Sequence, residues 1–162
     1  MKIVFEKMPL NPEEFKAMDQ MDLTKPENTC AMFLCALNLF VQEKTIGIDA
    51  INLLKGPVTL NSYEINFLAD RVRDKKYLPM IYFEGAKPEN NYTPTLPYTL
   101  VFYQDPRPQD CEGGYMRLYL KTAGADAPRF IKLRQKDSNW YLWEYPGIVM
   151  DVRKPANEDP WA

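Results

Sequence analysis

"GADAPRFIKLRQKDSNWYLWEY", running from Gly124 to Tyr145, alternates aliphatic residues with cationic and aromatic ones. Side chains point to opposite faces along a strand, so this spacing predicts two strands, each with one aliphatic and one aromatic, basic side. The segment "KDSNW" supplies a compact hairpin connection between them. The reading extends outward to "LPMIYFEG", "PYTLVFYQ", "GYMRLYLKT" and "GIVMDVRK", short runs of strand formers separated by Gly, Pro, Asp and Asn. One face then collects Met116, Leu118, Leu120, Ile131, Leu133, Trp140, Leu142, Ile148, Met150 and Val152. The opposite face collects Tyr115, Arg117, Tyr119, Lys121, Phe130, Lys132, Arg134, Tyr141, Trp143, Tyr145, Val149, Asp151 and Arg153.

The first half of the chain has a helical period instead. Asn11, Pro12 and Glu14 form a capping arrangement ahead of Phe15 and Met18. Thr24 and Glu27 repeat that signature before "NTCAMFLCALNLFVQEK", which is apolar almost all round and is expected to be the most buried helix. "GIDAINLLKGP" predicts a short third helix stopped by Gly56 and Pro57, and Asn61 or Ser62 opens a fourth that runs to about Asp74. Helices followed by consecutive strands imply an α+β fold, with an antiparallel, curved sheet and helices on one face. The element order suits a cone-shaped sheet of the NTF2-like kind. A single domain over residues 1–162 is expected, with a helical part at about 11–75, a sheet part at about 77–153 and a tail at 154–162.

A net charge of −2 and a pI near 5.3 argue against a dedicated nucleic-acid binder. The chain has no histidine, which removes the usual general base, the Ser-His and Cys-His pairs and most zinc and iron sites. No metal site or cofactor motif is expected. Cys30, Cys35 and Cys111 form no CxxC, and a scattered odd set favours reduced thiols in a cytoplasmic protein. Cys30 and Cys35 lie about 140° apart around a helix and read as buried small hydrophobes. Cys111, between Asp110 and Glu112, lacks the positive surroundings that make a thiolate, and the segment 104–114 around it reads as a loop. The longest apolar run, Cys30 to Leu37, is too short to cross a bilayer, and the amino terminus lacks the apolar core of a signal peptide.

The aromatic, basic face carries the functional question. Tyr, Trp and Arg are the types enriched at interface hot spots, and Tyr119, Arg129, Arg134, Tyr141 and Trp143 are the binding candidates. The plain alternative is a solvated face on which Lys and Arg stems lie over rings. Between residues 115 and 136 the only acid is Asp126, against six Lys or Arg, a balance that also admits single-stranded nucleic acid stacked on the rings. Glu144 breaks the alternation. Strict parity points its carboxylate towards the aliphatic side, which makes it the one catalytic candidate, a general acid or base in an apolar pocket. Near a strand end it is also placed to reach solvent or a neighbouring Arg. The carboxyl end, "KPANEDPWA", presents Trp161 in an acidic segment that either frays or docks in a groove on its own sheet or on a neighbouring chain.

Gly124, Ala125, Asp126, Pro128, Arg129, Leu133, Arg134, Trp140, Leu142, Trp143 and Glu144, with the closing "EDPWA", resemble the pattern of an uncharacterised family of bacterial domains, seen mostly in Firmicutes. The resemblance implies a bacterial origin and a recurring module, and brings no activity, cofactor or catalytic residue. Three functional readings follow. The leading one is a non-enzymatic binding or assembly module that meets a protein partner, or a second copy of itself, through the aromatic face. The next is a histidine-free enzyme or small-ligand carrier with a pocket between helices and sheet and Glu144, Tyr119 or Asp151 at its mouth. The third is single-strand nucleic-acid binding.

Overall fold

The computed structural model describes residues 1–104 and 113–162, so Cys111 and the loop expected around it lie outside the described residues. The fold is α+β, with four α-helices, a two-stranded antiparallel sheet and a four-stranded antiparallel sheet among the described residues. Helix α1 (Pro12–Ala17) starts where Asn11 Oδ1 accepts the backbone N–H of Glu14 at 2.8 Å. Helix α4 (Ser62–Val72) opens on a full capping box between Asn61 and Glu64. Both starts are as expected.

Helix α2 (Pro26–Gln42) differs in its cap. Asp22 Oδ1 accepts from both the N–H and the hydroxyl of Thr24, at 3.1 and 2.6 Å, so Thr24 is held one residue short of the helix and Pro26 sets its first turn. The helix is buried continuously from Asn28 to Phe40 and forms the centre of the core, as its all-round apolar sequence requires. Helix α3 (Lys44–Lys55) begins three residues before the expected start at Gly47.

Strand β1 (Lys2–Phe5), which is too short to signal itself in the sequence, pairs with β2 (Tyr98–Val101) from Lys2↔Val101 to Phe5↔Tyr98. The expected run 97–104 is therefore split. After buried Phe102 the chain enters the larger sheet as β3 (Tyr103–Gln104), followed by β4 (Tyr115–Leu120), β5 (Arg129–Lys136) and β6 (Asn139–Glu144), in the order β3-β4-β5-β6. Asp137 and Ser138, both at positive φ, close the β5–β6 hairpin as a two-residue turn whose twist matches its strands. The free edge of β6 is covered, because Trp140 N–H donates to Leu23 O at 2.7 Å and Thr29 Oγ1 donates to Trp140 O at 2.7 Å.

Two expected strands are absent among the described residues. The run 78–85 forms a 3₁₀ turn at Leu78–Met80 and further turns, with Leu78, Pro79, Ile81, Tyr82 and Phe83 all buried. Burial of neighbours in sequence rather than of alternate residues is incompatible with a half-exposed strand, and Pro79 offers no ladder donor. The run 147–154 forms a 3₁₀ turn at Pro146–Val149 and then an extended strap. Side chains take the carbonyls that a neighbouring strand would otherwise bond. Tyr82 Oη donates to Ile148 O at 2.5 Å, Arg71 Nε to Val149 O at 3.1 Å, Arg129 Nη1 to Met150 O at 2.9 Å and Tyr92 Oη to Arg153 O at 2.5 Å. Val149, expected on the aromatic face, is buried, and Met150, expected in the core, is exposed. No helix among the described residues is long and apolar enough to cross a membrane.

Candidate functional site

Strand parity holds across the larger sheet up to one point. Leu118, Leu120, Ile131, Leu133 and Leu142 are all buried on the face turned to the core. On the other face the ladder sets Tyr115 opposite Arg134, Arg117 opposite Lys132, and Tyr119 opposite Phe130. Cations directly opposite each other repel, and here each turns diagonally onto a ring instead. The Arg117 guanidinium lies 5.0 Å from the centre of Phe130, and Lys132 Nζ lies 4.9 Å from that of Tyr115. Lys121 caps Tyr103 in the same way at 4.6 Å.

The point of failure is a β-bulge. The β5–β6 register runs Leu133↔Leu142 and then Lys132↔Glu144, so Trp143 is the extra residue of β6. A one-residue slip reverses the faces of everything beyond it. Glu144, expected to point inward on strict alternation, is exposed and sits opposite Lys132. The apolar surroundings that its catalytic role requires are absent. Tyr145, expected on the outer face, is buried with its ring 4.9 Å from Phe33. One register shift accounts for both reversals.

Trp143 remains outside and exposed. The Arg134 guanidinium stands 4.7 Å from its ring and 5.4 Å from that of Tyr115, and the two rings meet edge to face at 5.7 Å. This platform forms one wall of a groove of about 630 Å³. Arg134, Gln135 and Lys136 of β5 and Tyr141, Leu142 and Trp143 of β6 face Lys55, Pro57, Val58 and Glu64 of the α3–α4 connection across it. Gly56 makes the junction possible. It ends α3 at φ 71°, and a Cβ there would stand 2.8 Å from the Tyr141 ring.

Beside the groove lies a half-buried polar cluster. Glu64 Oε2 accepts from Lys55 Nζ at 2.8 Å and from Tyr145 Oη at 3.0 Å, and Glu64 Oε1 accepts from the Asn61 N–H. Burial pushes the Glu64 carboxyl up, but the hydrogen bonds from Lys55 and Tyr145 and the Lys55 charge outweigh it and hold it below its ordinary value. Burial, the Glu64 charge and the bond to it push the Tyr145 phenol up, which keeps it neutral and unsuited to act as a base. Lys55 and Glu64 cancel each other, and Lys136 Nζ lies 3.5 Å from Asp137 Oδ2 in an exposed pair, so Arg134 supplies most of the groove's positive charge. The arrangement suits a partner that brings flat or apolar surface together with carboxylates or phosphates.

The ion pair sets a pH dependence. A carboxyl held low when folded stabilises the fold fully above its unfolded value, roughly 4.3, and loses that contribution as pH falls through the folded value. Lys55→Ala is expected to lower stability at pH 7 by about 1 kcal/mol, the upper end for a partly exposed pair, and to flatten the acid-side slope. Urea unfolding of both proteins from pH 3 to 7 measures this, and an unchanged slope in the variant refutes it.

The groove brings together Arg134, Tyr141 and Trp143 of the five binding candidates. Tyr119 lies on the same face but away from the groove, its ring 5.7 Å from Phe130. Arg129 is not on that face: it stands opposite Leu120, on the core side, and holds the strap through Met150 O, Asp151 O and Tyr82 Oη. Two further outer-face candidates belong to the strap as well. Arg153 bonds Asp126 and Ala123 O, and Asp151 pairs with Lys75. The sequence pattern thus divides by role. Gly124, Asp126 and Arg129 clasp the strap, Leu133 and Leu142 fill the core, and Arg134 and Trp143 make the platform.

Lys55, Pro57, Val58 and Glu64 were not legible as site residues. Lys55, Pro57 and Glu64 each have a full local explanation as a helix end, a stop or a cap, Val58 carries no signal of its own, and nothing local says that this connection lands beside the hairpin. Cys30 and Cys35 are buried free thiols, and burial pushes both up, away from reactivity. Among the described residues no three His, Cys, Asp or Glu converge as metal ligands.

No curated protein matches the chain. No solved structure matches it either, so the NTF2-like expectation rests on element order alone. Residues 7–156 match the family model described as a domain of unknown function, DUF6935, and the chain belongs to that family.

Proposed function

We propose that this protein is a non-catalytic binding or assembly module that engages its partner through the aromatic, basic face of β4–β6 and the groove beside it. The observation that carries this reading is the convergence of Arg134, Tyr141 and Trp143 on one groove, with Trp143 left 41% exposed although its ring is already pre-set by Arg134 and Tyr115. Rings and guanidinium groups held in place lose little freedom on binding, which favours hot-spot behaviour. In the same reading the protein works in the bacterial cytoplasm, which suits the free, buried Cys30 and Cys35.

Parallel affinity capture with the wild-type protein and the Arg134→Ala/Trp143→Ala variant tests it. The expected result is at least one protein, this chain included, enriched tenfold or more on the wild type and lost from the variant. Identical capture profiles overturn the reading.

Small-ligand carriage is supported by the groove volume, which lies within the range of small-molecule sites. The groove lies between the α3–α4 connection and the β5–β6 hairpin, not under the middle of the sheet, where Leu118, Ile131 and Leu133 have no exposed area. A ligand retained by the wild type and absent from the double variant in native mass spectrometry distinguishes carriage from assembly. Single-strand nucleic-acid binding instead predicts an affinity that falls steeply with salt.

A further inference from the structure

The last residues of the chain supply a candidate occupant for the groove. Trp161 is 93% exposed, the most exposed large hydrophobic residue among those described. It is presented, not merely loose. A 3₁₀ turn at Ala156–Glu158 is fixed to the body by Asn157 N–H donating to Asn91 Oδ1 at 2.8 Å. Asp159 Oδ1 then accepts the Trp161 N–H at 2.9 Å, and the Ala162 N–H returns to Asp159 O at 3.2 Å. The result is a compact turn with two carboxylates, Glu158 and Asp159, beside one bare indole. The groove is its complement in kind: Arg134 for the acids, with Lys136 in an exposed pair with Asp137 beside it, and Trp143, Tyr141, Pro57 and Val58 for the ring.

The turn does not serve its own groove. Its root shares a surface depression with Asp74, Lys76 and Tyr77, just beyond the carboxyl end of α4, whereas the groove is bounded by Glu64 at the amino end. In the observed turn Trp161 is 93% exposed and is not among the residues that line the groove, so its indole does not occupy the groove of its own chain.

We infer that the groove binds the acidic, tryptophan-bearing segment Glu158–Trp161 of a second copy of this chain, each copy lending its segment to the other. Reciprocal exchange closes a two-fold dimer and leaves no open end for further growth. This inference rests on the reading above and names its partner.

Sedimentation velocity over a wide concentration range, with Trp161→Ala and Trp143→Ala as variants, tests it. The wild type is expected to dimerise, with an affinity that weakens as salt screens the carboxylate–guanidinium attraction. Either substitution is expected to weaken the dimer at least tenfold, while the thermal midpoint of Trp161→Ala matches that of the wild type at dilutions where both are monomeric. Mixing the two variants restores association above either alone, because an intact segment then meets an intact groove. A wild type that stays monomeric overturns the inference, as does a dimer indifferent to Trp161→Ala or a mixture that recovers nothing. A monomer in which Trp161→Ala alters Trp143 fluorescence also overturns it, since the segment is then bound within its own chain. If affinity capture still separates wild type from Arg134→Ala/Trp143→Ala after any of these results, the inference alone has failed and the binding reading stands.

Discussion

Gly47→Ala is expected to destabilise the protein by about 3 kcal/mol or more, although the same change in an ordinary helix stabilises. Alanine is favoured over glycine inside a helix by roughly 1 kcal/mol, because glycine loses more backbone freedom on folding. At Gly47 the opposing effect is larger. A Cβ there would lie 2.2 Å from Phe40 Cα and 2.5 Å from Phe40 N, atoms of the preceding helix that no rotamer change can move. Relief requires α2 and α3 to separate, and α2 is the buried centre of the molecule. Overpacking against side chains costs about 1–3 kcal/mol. Overpacking against backbone belongs at or beyond the top of that range. Urea unfolding at pH 7 decides the sign, and a variant as stable as the wild type would show that the helices separate at little cost.

The second large effect separates two neighbours. Ile131→Ala is expected to cost about 3 kcal/mol and Lys132→Ala about 0.5 kcal/mol, although the residues are adjacent in the same strand. Ile131 has no exposed area and faces Leu118 across the ladder inside the core, so truncation removes buried hydrocarbon and leaves a cavity. Lys132 lies on the outer face with its ammonium over Tyr115, and its loss removes one partly solvated cation–π contact. Chemical denaturation of the two variants gives the contrast directly. Equal losses would mean that the outer face is as much a part of the stabilising core as the inner one.

The period-two signal was the most legible feature of the sequence, because Tyr115–Leu120 and Phe130–Arg134 alternate between aliphatic and aromatic or cationic residues. Helix starts were legible wherever a side chain could reach its own backbone, as Asn11 and Asn61 do. Thr24 shows the limit: it has the cap chemistry, but Asp22 holds it, and competition between two local hydrogen-bond schemes is not visible in residue types. The bulge at Trp143 carries no marker such as Gly, so Tyr145 was assigned to the wrong face. For Glu144 strict alternation pointed inward, while its place near the strand end pointed to the solvent that it reaches. The runs at 78–85 and 147–154 hold strand formers that are buried by turns, with Tyr82, Arg129 and Tyr92 satisfying the strap from far away in sequence. Of the groove, the sheet wall was readable from Arg134, Tyr141 and Trp143. The helical wall was not, since its place depends on Gly56 fitting under Tyr141, a long-range contact.

In the proposed reading stability and recognition lie on opposite faces of one sheet, and the decisive question is whether the outer face becomes covered by a partner. Hydroxyl-radical footprinting of the protein, alone and dilute and then in concentrated cell extract, answers it side chain by side chain. Trp143 and Tyr103 are expected to be labelled in dilute buffer and protected in extract, while Tyr63 and Met150, also exposed but off this face, label the same in both. Undiminished labelling of Trp143 in extract, with no protection on that surface, would contradict a binding role for it.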